Sequence, residues 1–288
     1  MKKTKDFSDV GPMYSIGEVA KICNVSRKTL RYYEQLGLLK PDHVCFENGY
    51  RYYTEQTMNS IPVIKYYKQM GFKLQEMKLA QNTENYFYHE QENIFLTKLE
   101  ELKQEERRIR NSYGAIAEWL RMIREGNIVA SNQLQEINVK FLEEETYVYI
   151  EQEFNQNYMD AVINIPWVNY LESHNCEIMG PVILGFEGCK TKKEYRSSNV
   201  KIMQKPVGRV VEDMPTQSLG GQFFLSSYHI GDLSMIDQQY RNMRAWAKEH
   251  RYQCEDKVYE RHLVDYWSTM NEDSFVVELL IPAKKVNN

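Results

Sequence analysis

The chain falls into three stretches that differ in how apolar residues recur. In the first, Ile16, Val19, Ala20 and Cys23 return at helical spacing. Ser15 followed three residues later by Glu18 is a capping box, in which hydroxyl and carboxylate each satisfy one orphan amide of the first turn. Asn24-Val25 makes a short turn, Ser26 caps a second helix striped by Leu30, Tyr33 and Leu36, and Gly37 stands where that helix ends. Two short helices around a tight turn form a helix-turn-helix pattern. In "HVCFENGYRYYT", Asn48-Gly49 suits a type I′ turn between short strands, so a hairpin wing is expected. Two further helices follow, broken at Gly71; Pro62 either kinks the first of them or marks a restart capped by Ser60.

The second stretch is the clearest periodic signal. Phe95, Leu99, Leu102, Ile109, Tyr113, Ile116, Leu120 and Ile123 alternate by four and three, with Glu106 as the one polar member of the series. The stripe is too narrow for a globular core and its flanks are heavily charged. It predicts a coiled coil with a partner helix, roughly 43 Å long at 1.5 Å per residue, ending at Gly126. The alternative is a helix packed only on its own domain.

The third stretch alternates strand and helix. "ETYVYIEQEF" reads as strand, "IPWVNYLESHN" as helix, "PVILGFEG" and "RSSNVKIMQKPV" as strands. The order recurs in "GGQFFLSSYHI", "SMIDQQYRNMRAWAKEHRY", "KVYERHLVD" and "SFVVELLIPAK". Two strand-helix-strand-strand units with internal pseudo-symmetry predict an α+β domain. The expected organisation is multidomain: a winged helix-turn-helix head dominated by helices over 13–83, a long dimerisation helix over 84–126 and an α+β domain over 129–288.

Charge sharpens this division. Residues 1–80 hold 13 Lys+Arg against 8 Asp+Glu, net +5, and the rest holds 23 against 32, net −9. A basic head suits a polyanion, and the acidic body suits another task. The five cysteines are scattered, with no C-x-x-C or His-rich spacing, so reduced cytoplasmic thiols are expected and neither a disulfide framework, a metal nor a cofactor is indicated. The first residues lack an apolar signal region and no run approaches a membrane span, so a cytoplasmic protein without a membrane partner is expected.

A helix in the major groove presents donors to base edges while its neighbours clamp phosphates. Arg27, Lys28 and Arg31 supply cations on the second helix, and Tyr32 and Tyr33 supply phenols; Tyr33 also fits the small core. The wing repeats the theme. The candidate duplex-contacting set is Ser26, Arg27, Lys28, Arg31, Tyr32, Tyr33, Tyr50, Arg51, Tyr52, Tyr53 and Lys73.

These residues carry a resemblance. "YSIGEVAKICNVSRKTLRYYEQLGLLKP", "GYRYY" and "MGFKLQEMK" resemble the N-terminal domain of the MerR family of transcriptional regulators over roughly residues 13–81. The resemblance implies a winged-helix head, an antiparallel coiled-coil homodimer and an overlong promoter spacer that effector binding bends and untwists for RNA polymerase. Such action is indirect readout, with ligand energy shifting a DNA-deformation equilibrium.

"KVYERHLVDYWSTMNEDSFVVELLIP" resembles, more loosely and over about 140–284, the GyrI-like effector domains of BmrR-type multidrug-binding regulators. That resemblance implies Glu260 as the buried acid of a ligand pocket, with Tyr228 as a pocket tyrosine and Phe275 where a tyrosine can stand. Strand alternation independently puts Glu260 on one face with Val258, His262 and Val264. A carboxylate in apolar surroundings favours a lipophilic cation held by aromatic faces. Trp167, Tyr170, Tyr266 and Trp267 are candidate walls, Met179 a candidate contact and Glu278 a lesser candidate acid. Core packing of the aromatics, and a Glu260 solvated or paired with Arg261 or His262, remain the alternatives. The expected function is a non-enzymatic, ligand-responsive activator. Its alternatives are a GyrI-like hydrolase with a pocket glutamate as base and a repressor whose body binds a protein.

Overall fold

A computed structural model describes residues 6–7, 11–81, 87–187, 199–208, 210 and 213–286. The chain forms two compact units, Met1–Arg107 and Arg108–Asn288, each taken by itself below.

The first unit opens with strands β1 (Asp6–Phe7) and β2 (Gly11–Ser15), which the apolar pattern did not foretell. Helices α1 (Ile16–Ile22) and α2 (Arg27–Gln35), strands β3 (His43–Val44) and β4 (Arg51–Thr54), and helices α3 (Glu55–Met58), α4 (Ser60–Gln69) and α5 (Leu74–Gln81) follow. The strands form an antiparallel sheet in the order β1-β2-β4-β3. The capping box is present: the Ser15 amide donates to Glu18 Oε2 at 2.8 Å and the Glu18 amide to Ser15 Oγ at 3.4 Å. Gly37 takes φ +74° just past the end of α2, the left-handed conformation a glycine tolerates.

Two local expectations need correction. Between β3 and β4 only Gly49 has positive φ. The connection is a longer loop in which Asn48 Oδ1 accepts from the Tyr50 amide at 3.0 Å, so the turn is not type I′. Around Pro62 the helix restarts at Ser60, but Asn59 is the capping residue and makes no side-chain cap bond; Ser60 Oγ donates back to the Thr57 carbonyl at 2.7 Å.

Helix α6 (Phe87–Asn132) runs through Gly126 without a break, so the sequence-based end of the rod is six residues short. A Cβ at position 126 would lie 2.6 Å from Val264 Cγ2. The glycine is there for close approach to a strand, not for termination. Phe95 packs on the head core, its ring 5.8 Å from Tyr67 and 5.4 Å from Phe72. The rest of the stripe, Leu99, Leu102, Ile109, Tyr113, Ile116, Leu120 and Ile123, is exposed.

The second unit continues with β5 (Asn138–Leu142), β6 (Glu145–Glu153), α7 (Tyr158–Val162), α8 (Ile165–Ser173), β7 (Ile178–Phe186), β8 (Asn199–Pro206), β9 (Thr216–Leu219), β10 (Gln222–Ile230), α9 (Ile236–Glu249), β11 (Tyr252–Cys254), β12 (Val258–Val264) and β13 (Val276–Lys285). The main sheet runs β5-β10-β13-β12-β7-β8-β6-β9, antiparallel throughout, with β11 paired to β13. Its two halves, β6-α8-β7-β8 and β10-α9-β12-β13, are the expected repeats, joined where β7 meets β12.

The short strands β5 and β9 were not read from sequence, yet they shape the domain. Each precedes the first strand of one repeat and pairs with the first strand of the other. Two-residue links, Glu143-Glu144 and Gly220-Gly221, therefore draw the two ends of the sheet together. A Cβ on Gly220, at φ +119°, would fall 2.0 Å from the Glu143 carbonyl oxygen, and the Gly221 amide donates to the Leu142 carbonyl at 2.8 Å. The sheet curls into a cup. Helices α8 and α9 cover its convex face over Trp167, Leu184, Tyr240, Met243, Phe275, Val277 and Leu279.

Candidate functional site

In the head, Ser26 caps α2 by accepting from the Thr29 amide at 3.0 Å. The first turns then present Arg27, Lys28, Arg31 and Tyr32 as exposed side chains, with Leu30 and Tyr33 turned into the core. The wing exposes Tyr50 and Arg51, and Phe46 stands fully exposed at its tip. Sequence reasoning passed over Phe46. Arg51 Nε lies 2.8 Å from Glu34 Oε2, and the Tyr53 hydroxyl donates to the other oxygen of the same carboxylate, so Glu34 clasps the wing to α2. Burial, then the nearby Glu34 carboxylate, pushes the Tyr53 phenol well up.

Tyr33 and Tyr53, read from sequence as duplex contacts, are thus buried core residues. Tyr52 is half-buried beside the His43 ring. Lys73 is exposed, with its backbone amide donating to Glu76 at the start of α5. Of the predicted contacts, Ser26, Arg27, Lys28, Arg31, Tyr32, Tyr50, Arg51 and Lys73 stay exposed.

In the second unit, strand parity decides which groups meet. On β13, Val277, Leu279 and Ile281 face the helices, whereas Val276, Glu278 and Leu280 face the hollow of the cup. On β12, Val258 and Glu260 face the helices, while Tyr259, Arg261 and Leu263 face the hollow. The acid assigned to the pocket from sequence, Glu260, is fully buried on the convex side. It accepts from the Tyr240 hydroxyl of α9 at 3.0 Å and lies 3.9 Å from His262 Nε2. Burial drives the His262 pKa down to about 3, so this neighbour is a neutral imidazole and the contact is no ion pair.

The hollow belongs to Glu278. It lines a cavity of about 350 Å³ with Lys140, Tyr147, Met179 and Arg261 over a floor of Leu142, Ile183, Leu219 and Leu280, and α6 contributes Glu118, Arg121 and Glu125. The Glu278 carboxylate is wholly buried. Arg261 Nε approaches one oxygen at 2.7 Å, and the other accepts from Ser226 Oγ at 2.6 Å and from the Lys140 ammonium. Arg261 also pairs with Glu125, which accepts from the Tyr228 hydroxyl at 2.9 Å. Burial alone would raise the Glu278 pKa; Arg261 and Lys140 overcome it and hold the group below the usual carboxylate range. Burial, then Glu278 and Glu125, pushes the Tyr228 phenol up.

Of the sequence-predicted effector contacts, Met179 lines this cavity, and Tyr228 lies beside it against α6. The other six lie elsewhere, Trp267 with its Nε1 donating to the Val162 carbonyl at 3.1 Å. Trp167 is core, its Nε1 donating to Gln204 at 2.8 Å, and Tyr170 stacks on it at 14° between ring planes. Phe275 is core as well. Tyr266 packs edge-on against Phe275 and donates to Glu272 at 2.6 Å, in a separate cleft with Asn157, Asp232 and Asp237. Glu260 was misplaced because a strand buried on both faces carries apolar residues at both parities, so alternation does not say which face is hollow; Trp167 and Tyr170 lie on α8, which packs on the convex face. The missed members, Arg261, Lys140 and Glu125, left one usable trace. Arg261 and Glu278 are opposite charges that pair across β12 and β13.

Comparison with known proteins bears on both halves. The profile of the MerR HTH family regulatory protein matches residues 14–83. The Multidrug-efflux transporter 1 regulator of Bacillus subtilis (strain 168) is 46% identical over 91 residues, 30% of this chain and 33% of its own length. The Multidrug-efflux transporter 2 regulator of the same organism is 23% identical over 293 residues, 96% of this chain and 99% of its own. The HTH-type transcriptional regulator ZntR of Escherichia coli (strain K12) is 32% identical over 95 residues, 32% of this chain and 67% of its own. With the capped α2, its basic first turns and the hairpin wing in place, the chain belongs to the MerR family of helix-turn-helix regulatory proteins.

Proposed function

We propose that the protein is a promoter-binding transcription activator that responds to a small lipophilic effector, cationic in its preferred form, held in the hollow of the curled sheet. The observation that carries this reading is a wholly buried carboxylate, Glu278, beside an apolar floor in a cavity of ligand size. Two relatives named as multidrug-efflux regulators support the effector class. The exposed stripe Leu99 to Ile123 of α6 supplies the seam of a homodimer, since seven exposed apolar side chains at heptad spacing call for a partner helix. Two heads then grip one duplex, and effector binding favours the distorted promoter that RNA polymerase uses.

The hydrolytic alternative needs a glutamate basic enough to activate water. Arg261 and Lys140 lower the basicity of Glu278, which works against that role.

The test separates the two halves. Arg31→Ala weakens promoter binding by about tenfold and lowers the salt slope by about one, with effector affinity unchanged by calorimetry. Glu278→Gln weakens a cationic effector and leaves promoter affinity alone. Equal loss of both affinities in either variant defeats the assignment.

A further inference from the structure

The hollow contains a difficulty for a cation-binding site: its acid is already matched. Glu278, Glu125, Arg261 and Lys140 form a group with two negative and two positive charges, all within the curled sheet and the segment of α6 beside it. Breaking a buried ion pair by removing one partner is strongly destabilising because it leaves an uncompensated buried charge, so an incoming cation gains nothing unless one resident cation leaves without such a penalty.

The two resident cations differ in how they are held. Arg261 has a side chain 15% exposed and bridges two carboxylates, Glu278 and Glu125. Lys140 has a side chain 34% exposed, extends from β5 at the end of the sheet and reaches no acid but Glu278 among the described residues. Its flexible stem lets the ammonium swing into water, where a compact cation is strongly hydrated. Departure of Lys140 leaves Glu278 with Arg261 and Ser226, and leaves the group with one net negative charge facing Leu142, Leu219 and Leu280.

We propose that the Lys140 ammonium is a tethered competitor that occupies the effector's cation subsite on Glu278, and that the effector is a compact singly charged ammonium with an apolar body that enters by displacing it. The proposal rests on the effector site placed in the hollow above. Lys140 then sets specificity. A neutral molecule of the same shape finds the apolar floor but does not displace the lysine. A site occupied by its own lysine most of the time binds cations with an apparent affinity reduced by the unoccupied fraction.

The test uses the full-length protein and two probes of one shape, benzyltrimethylammonium and its uncharged carbon isostere neopentylbenzene. Their affinities are measured by calorimetry for wild type, Lys140→Met, Lys140→Arg, Glu278→Gln and the Lys140→Met/Glu278→Gln double variant. Lys140→Met is expected to tighten the cation by about tenfold or more and move the neutral isostere by less than about twofold. Lys140→Arg keeps the competitor and stays near wild type, and the double variant loses the gain. Equal tightening of both probes makes Lys140 a steric obstacle and overturns the proposal. So does an unchanged or weakened cation affinity in Lys140→Met. If in that case Glu278→Gln still weakens the cation, the effector site stands and only the competitor falls. If neither probe binds any variant while promoter binding persists, the competitor and the effector site in the hollow both fall.

Discussion

The two sides of the curled sheet each bury a glutamate, and they use it in opposite ways. On the convex side Glu260 sits under α9 with a tyrosine hydroxyl and a neutral histidine for company, closed in by packed apolar side chains. On the concave side Glu278 sits one strand away among two cations, a serine hydroxyl and a cavity. Composition is nearly the same and parity is not. The convex acid belongs to a closed core; the concave acid belongs to a polar group with one exchangeable member, and exchangeability is what a sensor needs.

Arg261 gives the hardest way to break this comparison. Arg261→Met removes the cation shared by Glu278 and Glu125 and is expected to cost roughly 3–5 kcal/mol in chemical denaturation. A double variant, Arg261→Met with Glu278→Leu, removes both buried partners and recovers much of that loss. If the single variant is as stable as wild type, the concave group is not an ion-pair network and the contrast with the convex side dissolves.

The convex side has its own signature in pH. The folded-state pKa of His262 is about 3, below an ordinary value near 6.5. Above roughly pH 6.5 the ring is neutral whether folded or unfolded. Between there and pH 3 the unfolded chain takes a proton that the folded chain refuses, so stability falls with falling pH by up to roughly 1.4 kcal/mol per pH unit from this group. Asp265 acts in the other direction: burial lifts its pKa to about 6, so the folded state retains a proton the unfolded state releases and stability rises as pH falls toward 4. His262→Leu isolates the histidine contribution. Stability of the variant relative to wild type should improve steadily from pH 6.5 to 4, with a flat difference above pH 7, read from urea midpoints at each pH. A difference that does not vary with pH would mean that the fold leaves the His262 pKa where it is in the unfolded chain.

How much of this was legible in the sequence follows from the physics of each element. The head was readable because caps and turns are local: Ser15 with Glu18, Ser26 and Gly37 need only a few neighbours to act, and each acts as read. The stripe on α6 was readable because heptad spacing is a property of one helix, although Gly126 misled, its role being set by Val264, far along the chain. The eight long strand and helix segments of the second unit were readable by period. The choice between Glu260 and Glu278 was not. It depends on which face of a doubly buried sheet is covered by helices and which is hollow, and that is settled by the exchange of β5 and β9 between the repeats, strands too short to carry a pattern. Tyr33 and Tyr53 show the same limit in small: a tyrosine beside an arginine reads as a contact until the core claims it.

The gentlest probe of the contrast is a pair of hydroxyl deletions. Tyr240 donates to Glu260 on the convex side and Tyr228 to Glu125 on the concave side, at 3.0 and 2.9 Å. Tyr240→Phe removes a hydroxyl donor from a fully buried carboxylate and should cost about 1–3 kcal/mol of stability while leaving effector affinity unchanged. Tyr228→Phe acts on a half-buried group whose acceptor keeps Arg261, so its stability cost should be smaller, about 1 kcal/mol or less. Its effect should appear in effector response, because Glu125 is the point where α6 joins the polar group of the hollow. Denaturation and effector titration of both variants decide the matter. If Tyr240→Phe shifts effector affinity and Tyr228→Phe does not, the sensing face is the convex one and Glu260 regains the role that the family resemblance first gave it.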